Sequence, residues 1–158
     1  MKEPLHYWLM KSEPDVYSID DLKKDKRTYW HGVRNYQARN FMRDTMQIGD
    51  LVLFYHSNAE PAGVAGLAKV VKKGTPDLSA LDPKSEYFDP KATKENPIWY
   101  RVDIEFLEKF SHFIPLPEIK ANKALSDMRV VQRFARLSIQ PVEEKHFEKI
   151  LEMGRQKN

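Results

Sequence analysis

The chain contains no cysteine. That excludes a disulfide scaffold, a thiolate metal site and a cysteine nucleophile, and it fits a reducing compartment. No apolar run approaches the ~20 residues that cross a bilayer, so no membrane partner is expected. The opening Met1-Lys2-Glu3-Pro4-Leu5-His6 lacks the apolar core of a signal peptide, and the expected location is the cytoplasm, or the nucleus in a cell that has one. The five histidines, at positions 6, 31, 56, 112 and 146, show neither i, i+4 nor H-x-E spacing, so neither a metal nor a cofactor is expected. Ser12 and Ser57 stand outside any G-x-S-x-G elbow, and Gly63-Val64-Ala65-Gly66 matches no phosphate-binding loop. Internal repeats, low-complexity tracts and linkers are also missing.

What is present is an ordinary globular composition: 158 residues, 41% hydrophobic and 31% charged, which favours one domain over residues 1–158 with one core. The net charge of +3 is unevenly placed. Residues 23–44 carry seven Lys/Arg against two Asp, and residues 119–136 carry five (Lys120, Lys123, Arg129, Arg133, Arg136) against Asp127. Two such segments are either solvated faces or parts of one phosphate-binding patch.

Hydropathy patterning predicts an α+β chain. Strands are expected over residues 7–11, 51–55 (apolar throughout, hence buried on both faces), 63–71, 98–106 and 137–139. In the fourth, Ile98, Tyr100, Val102, Ile104 and Phe106 alternate with Arg101, Asp103 and Glu105. Gly63 and Gly66 mark a bend or a close backbone approach. Helices are expected over 19–24 (Ser18 as cap), 35–45, 118–124 and 142–153, the last opened by Pro141. Residues 74–97 hold four prolines and read as an irregular excursion. Strands of uneven length among short helices point to a small, bent, mixed barrel capped by helices.

The most informative stretch is Trp30-His31-Gly32-Val33-Arg34-Asn35-Tyr36-Gln37-Ala38-Arg39-Asn40-Phe41, expected to begin in a loop. It sets a flat aromatic beside a turn glycine, amide donors and two arginines. Such a combination suits a planar heteroaromatic ring joined to a phosphate, as in an unstacked nucleobase. Trp8 and Trp99 read instead as core residues.

The chain resembles the EVE-domain family. The matching pieces are Tyr7-Trp8-Leu9-Met10-Lys11-Ser12-Glu13-Pro14, the Trp30 run, Phe54-Tyr55-His56-Ser57-Asn58, Gly63-Val64-Ala65-Gly66, Asp77, residues 87–90, Asn96-Pro97 with Trp99, Phe113-Ile114-Pro115-Leu116 and Arg136-Leu137-Ser138-Ile139-Gln140-Pro141. The resemblance implies a PUA-like mixed β-barrel surrounded by short helices, related to the YTH readers of methylated adenine in RNA and to ASCH domains. It implies a nucleic-acid-binding module that reads modified bases in DNA, chiefly 5-methylcytosine and 5-hydroxymethylcytosine. Carried over, the base pocket would be built from Ser12, Trp30, Val33, Arg34, Asn35, Tyr55, His56 and Ser57, closed by Asp127, Met128 and Arg129.

On this reading Trp30 stacks on the base, with its indole open to solvent beside a cationic rim. Asn35 meets the Watson–Crick edge, and the hydroxyl of Ser12 or Ser57 meets a polar 5-substituent. Phosphates are expected along Arg39 and Arg43, and along Lys23, Lys24 and Arg129. A monomer is expected. Two alternatives stand beside it: an ASCH-like amidohydrolase acting on modified cytidines with Lys11 and Glu13 as acid–base pair, and a YTH-like reader of modified RNA.

Overall fold

The computed structural model describes residues 6–132 and 137–156. Its centre is a six-stranded mixed sheet: β1 (Tyr7–Ser12), β2 (Arg27–Trp30), β3 (Leu51–His56), β4 (Gly63–Pro76), β5 (Tyr100–Pro115) and β6 (Ile139–Val142). The strand order is β2-β5-β4-β3-β1-β6, with β1 and β3 parallel and the other pairs antiparallel. The helices are α1 (Ile19–Asp25), α2 (Tyr36–Asn40), α3 (Leu116–Ala121) and α4 (Glu144–Gly154). Among the described residues no helix is long and apolar enough to cross a membrane.

The apolar run of β3 is buried on both faces because successive side chains point to opposite sides of a strand. Val52 and Phe54 join one core cluster with Trp8 and Met10 of β1, while Leu53 and Tyr55 join a second with Leu9 and, from α4, Phe147 and Ile150. Trp30 belongs to the first cluster, its ring edge-on to Phe54 with centroids 5.7 Å apart. β2 and β3 are not neighbours in the sheet, so this contact crosses the interior of a curled sheet. Register shifts in the β3–β4 and β4–β5 pairings supply the curvature, since each extra residue bends its strand. At Gly63 and Gly66 a side chain would strike the backbone carbonyls of Ile114 and Glu108 on β5, which is the close approach their positions predict.

α1 starts where the sequence places it. Ser18 accepts from the Asp21 backbone N–H at 3.1 Å, and Asp21 accepts from the Ser18 N–H at 2.9 Å, a reciprocal cap. Three expectations are corrected. Trp30 ends an edge strand over residues 27–30, opposite Val102, rather than opening a loop. Pro141 lies within β6, opposite Trp8, and not at a helix start; an edge strand tolerates a residue without an N–H, and α4 begins only at Glu144. The expected helix over 35–45 is α-helical only to Asn40 and then widens to a π turn over Phe41–Thr45, closed by Met46 N–H donating to the Phe41 carbonyl at 2.8 Å. Trp8 and Trp99 are both buried as expected, at 2% and 5% exposure.

Asp50 ties the start of β3 to β1. Its buried carboxylate accepts from the Trp8 indole N–H at 3.0 Å and from the backbone N–H groups of Gln47 (2.9 Å) and His6 (3.2 Å). Asp50→Ala strands these donors in a dry site and is expected to lower unfolding stability by about 3 kcal/mol, with Asp50→Asn costing less, as read by urea denaturation.

Candidate nucleic-acid interface

The curl of the sheet leaves a cavity of about 460 Å³ between its two ends. β2 supplies Thr28, Tyr29 and Trp30 on one side; β1 supplies Lys11 and Ser12, joined by Ser138, on the other. The turn before α1 adds Val16 and Tyr17, the loop after β2 adds residues 31–34, and the proline-rich excursion adds Glu86 and Tyr87. The volume lies in the range of small-molecule and cofactor sites.

Trp30 is only 9% exposed, so its indole is not open to solvent as the sequence reading expected. It is a core residue with part of its surface forming the cavity wall. The loop that follows is held by Asp77, whose carboxylate is buried. Asp77 accepts from the Gly32 N–H (2.8 Å), the Arg34 guanidinium (3.1 Å), the Ser79 N–H (3.0 Å) and the Ser79 hydroxyl (2.5 Å). Burial alone would raise its pKa; the bonds from Ser79, Gly32 and Arg34 together outweigh it and hold the carboxyl below the ordinary aspartate value. Arg34 also donates to the Tyr87 carbonyl at 2.6 Å, and its guanidinium lies over the rings of Tyr87 and Trp99. It is a clasp for the wall, not a free cation. Gly32 adopts φ +77, and a Cβ there would stand 2.8 Å from the Tyr87 ring, so both conformation and space require glycine.

Of the expected pocket residues, the structure thus brings Ser12, Trp30, Val33 and Arg34 to one cavity. The others stand elsewhere. Asn35 caps α2, its Oδ1 accepting from the Ala38 N–H at 2.9 Å. Tyr55 lies in the second core cluster, because strand alternation turns it away from the Phe54 face. His56 accepts from the Ile19 N–H at 3.1 Å and so holds the start of α1. Ser57 donates its N–H to the Ser12 carbonyl at 3.0 Å. Met128 is buried in the second cluster, while Asp127 and Arg129 are exposed around it, and none of the three closes the cavity.

Lys23 and Lys24 are exposed on α1. Arg39 packs on Tyr36 and donates to Asn40 and the Ile98 carbonyl, and Arg43 pairs with Asp44 at 2.8 Å. Arg133 and Arg136 fall outside the described residues. Lys11 and Glu13 are directed to different partners: the Lys11 ammonium stands over the Tyr55 ring, and Glu13 accepts from Asn58 at 2.7 Å. Sequence reasoning missed Tyr17, Tyr29 and Tyr87. The family pieces already contained Tyr87, but its segment read as irregular, and an irregular segment carries no periodicity to say which way a side chain faces.

The EVE domain family model matches residues 6–153. The chain belongs to the EVE domain family. Thymocyte nuclear protein 1 of Homo sapiens is 41% identical over 97% of this chain and 76% of its own length, and that of Gallus gallus is 42% identical over 96% and 69%. Among solved structures, a hypothetical protein from Leishmania major superposes with TM-score 0.90 at 50% identity, covering 96% of this chain and 95% of that one. Human THYN1 in complex with DNA containing 5-methylcytosine superposes with TM-score 0.89 at 39% identity, covering 97% and 99%. The YTH domain of Zygosaccharomyces rouxii MRB1, solved with N6-methyladenosine RNA, shares the fold at TM-score 0.58 and 12% identity, covering 99% and 88%. The PUA-like expectation therefore holds for this EVE domain.

Two outcomes test this account of the EVE site. Gly32→Ala is expected to push the Tyr87 ring aside and to lower stability by about 1–3 kcal/mol, with Tyr87→Ala recovering part of the loss in a double-mutant cycle. His56 supplies the second. Burial lowers its pKa most; Asp20 nearby raises it in part, and Lys109 adds the smallest effect, a further lowering. The fold prefers its neutral ring, so its contribution is complete above the unfolded value near 6.5 and is lost as pH falls below it. Thermal unfolding from pH 7.5 to 5 is expected to show a steeper loss for the wild type than for His56→Ala.

Proposed function

We propose that this EVE domain binds a single modified nucleobase, a 5-modified cytosine in DNA, extruded from its helix into the cavity walled by Trp30. The observation that carries the reading is that cavity, formed where the two ends of the sheet meet in a fold whose human relative was solved with DNA containing 5-methylcytosine. Trp30 puts aromatic surface on the wall for stacking, and Tyr29 and Tyr87 add more around the cavity. Both 5-methylcytosine and 5-hydroxymethylcytosine belong to the class so read.

Stacking on an aromatic contributes roughly 1–3 kcal/mol per base, while unpairing a duplex base costs a few kcal/mol. These terms nearly cancel, so phosphate contacts decide the affinity, and binding is steeply salt-dependent. Lys23 and Lys24 are exposed cations for that purpose. Arg39 and Arg43 join them by exchanging Asn40 and Asp44 for phosphate oxygens.

Titrating wild type and variants with duplexes carrying cytosine or 5-methylcytosine, at several salt concentrations, tests the reading. Trp30→Ala is expected to abolish the preference for the modified base; a preference that survives it places the base elsewhere. Lys23→Ala with Lys24→Ala, and separately Arg39→Ala with Arg43→Ala, are expected to weaken all sequences alike and to flatten the salt slope.

A further inference from the structure

Ser12 ends β1 at the cavity wall. Its hydroxyl oxygen lies 2.6 Å from the Tyr17 backbone carbonyl. A carbonyl oxygen has no hydrogen to give, so the hydroxyl hydrogen lies on that line. A serine hydroxyl has one hydrogen and two lone pairs; with the hydrogen committed, Oγ offers its surroundings acceptor character only.

The arrangement is held from both sides. The Ser12 carbonyl accepts from the Ser57 N–H at 3.0 Å, fixing the backbone of Ser12. The turn that presents the Tyr17 carbonyl is closed by the Val16 and Tyr17 N–H groups, each 2.9 Å from the Glu13 carbonyl. The Tyr17 hydroxyl donates to Asp25 at 2.8 Å, and the next residue caps α1. Any polar group that meets the Ser12 hydroxyl in the cavity therefore meets it as a donor, because the Ser12 hydrogen is already in use.

We propose that Ser12 determines specificity: it accepts from the exocyclic amine of a 4-aminopyrimidine and rejects the 4-keto counterpart. The proposal rests on the reading that the cavity takes a base. 5-Methylcytosine and thymine both carry the 5-methyl group. At position 4 one presents an N–H donor and the other a carbonyl acceptor. Opposite an oxygen whose hydrogen is spent, the donor forms a bond, whereas the acceptor leaves two buried oxygens facing each other without a proton between them. A site built to pair a polar group discriminates strongly against an analogue that cannot complete the pair.

The test uses one duplex with 5-methylcytosine, thymine or 5-methylpyrimidin-2-one, in which hydrogen replaces the amine, placed opposite an abasic site so that no base pair must be broken. The wild type is expected to bind the 5-methylcytosine duplex about tenfold more tightly than the other two. Ser12→Ala is expected to bring 5-methylcytosine down to the level of the pyrimidinone and to relieve the penalty on thymine, so that the three bind alike, and Ser12→Thr to retain the preference. A wild type indifferent to the amine overturns the proposal. So does a Ser12→Ala variant weakened equally on all three duplexes, which would make Ser12 a packing residue only. Trp30→Ala separates the two levels. If the wild type favours none of the three duplexes over a fully abasic control and Trp30→Ala changes nothing, the cavity reading falls and takes the Ser12 proposal with it. If Trp30→Ala weakens all three but amine and keto bases bind alike, only the Ser12 proposal falls.

Discussion

Burial of β1 and β3 on both faces is the constraint on which the rest of this molecule depends. Trp8, Met10, Val52 and Phe54 fill one side of these strands, and Leu9, Leu53 and Tyr55 the other. A sheet whose middle is apolar on both faces must cover one face with helices and enclose the other. Here α4 covers the outer side, and the sheet curls so that Trp30, at its far edge, reaches Phe54 across the interior. The cavity is the place where this enclosure stops short of filling the space.

The second organising feature is the buried carboxylate of Asp77. Four donors converge on it from residues 32, 34 and 79. A buried charge is tolerated only when paired and hydrogen-bonded, and satisfying it fixes the loop that follows Trp30. Arg34 extends the same bonding to Tyr87, so a segment more than 40 residues away becomes part of the wall. The wall is thereby held by bonds within the chain, and a preformed wall lowers the ordering cost of any ligand it takes.

Seen from the sequence, the elements were legible where local chemistry decides them. The reciprocal Ser18–Asp21 cap, the two-faced β3 and the close approach at Gly63 and Gly66 all follow from residues near in the chain. The motif that begins at Trp30 also marks a segment that lines the cavity. The misreadings share one cause. The run from Trp30 looked like a loop because turn chemistry follows the tryptophan and charges surround it, yet pairing with β5 puts Trp30 at the end of a strand. Pro141 looked like a helix start, yet an edge position accepts it in β6. Tyr55, Asn35 and His56 are adjacent in sequence to pocket residues or to pocket-like polar groups, but strand alternation and capping bonds direct them elsewhere.

The sequence by itself determined the family, the mixed α+β character and the segment that carries the aromatic wall, because those are written in hydropathy period, capping chemistry and an unbroken motif. Only the tertiary structure decided that Trp30 is a core residue with part of its surface on a cavity, that Arg34 is a clasp, and that the Ser12 hydroxyl donates to the Tyr17 carbonyl. Each of these depends on a partner distant in the chain or on the direction of a single hydrogen bond, and a linear string of residues encodes neither.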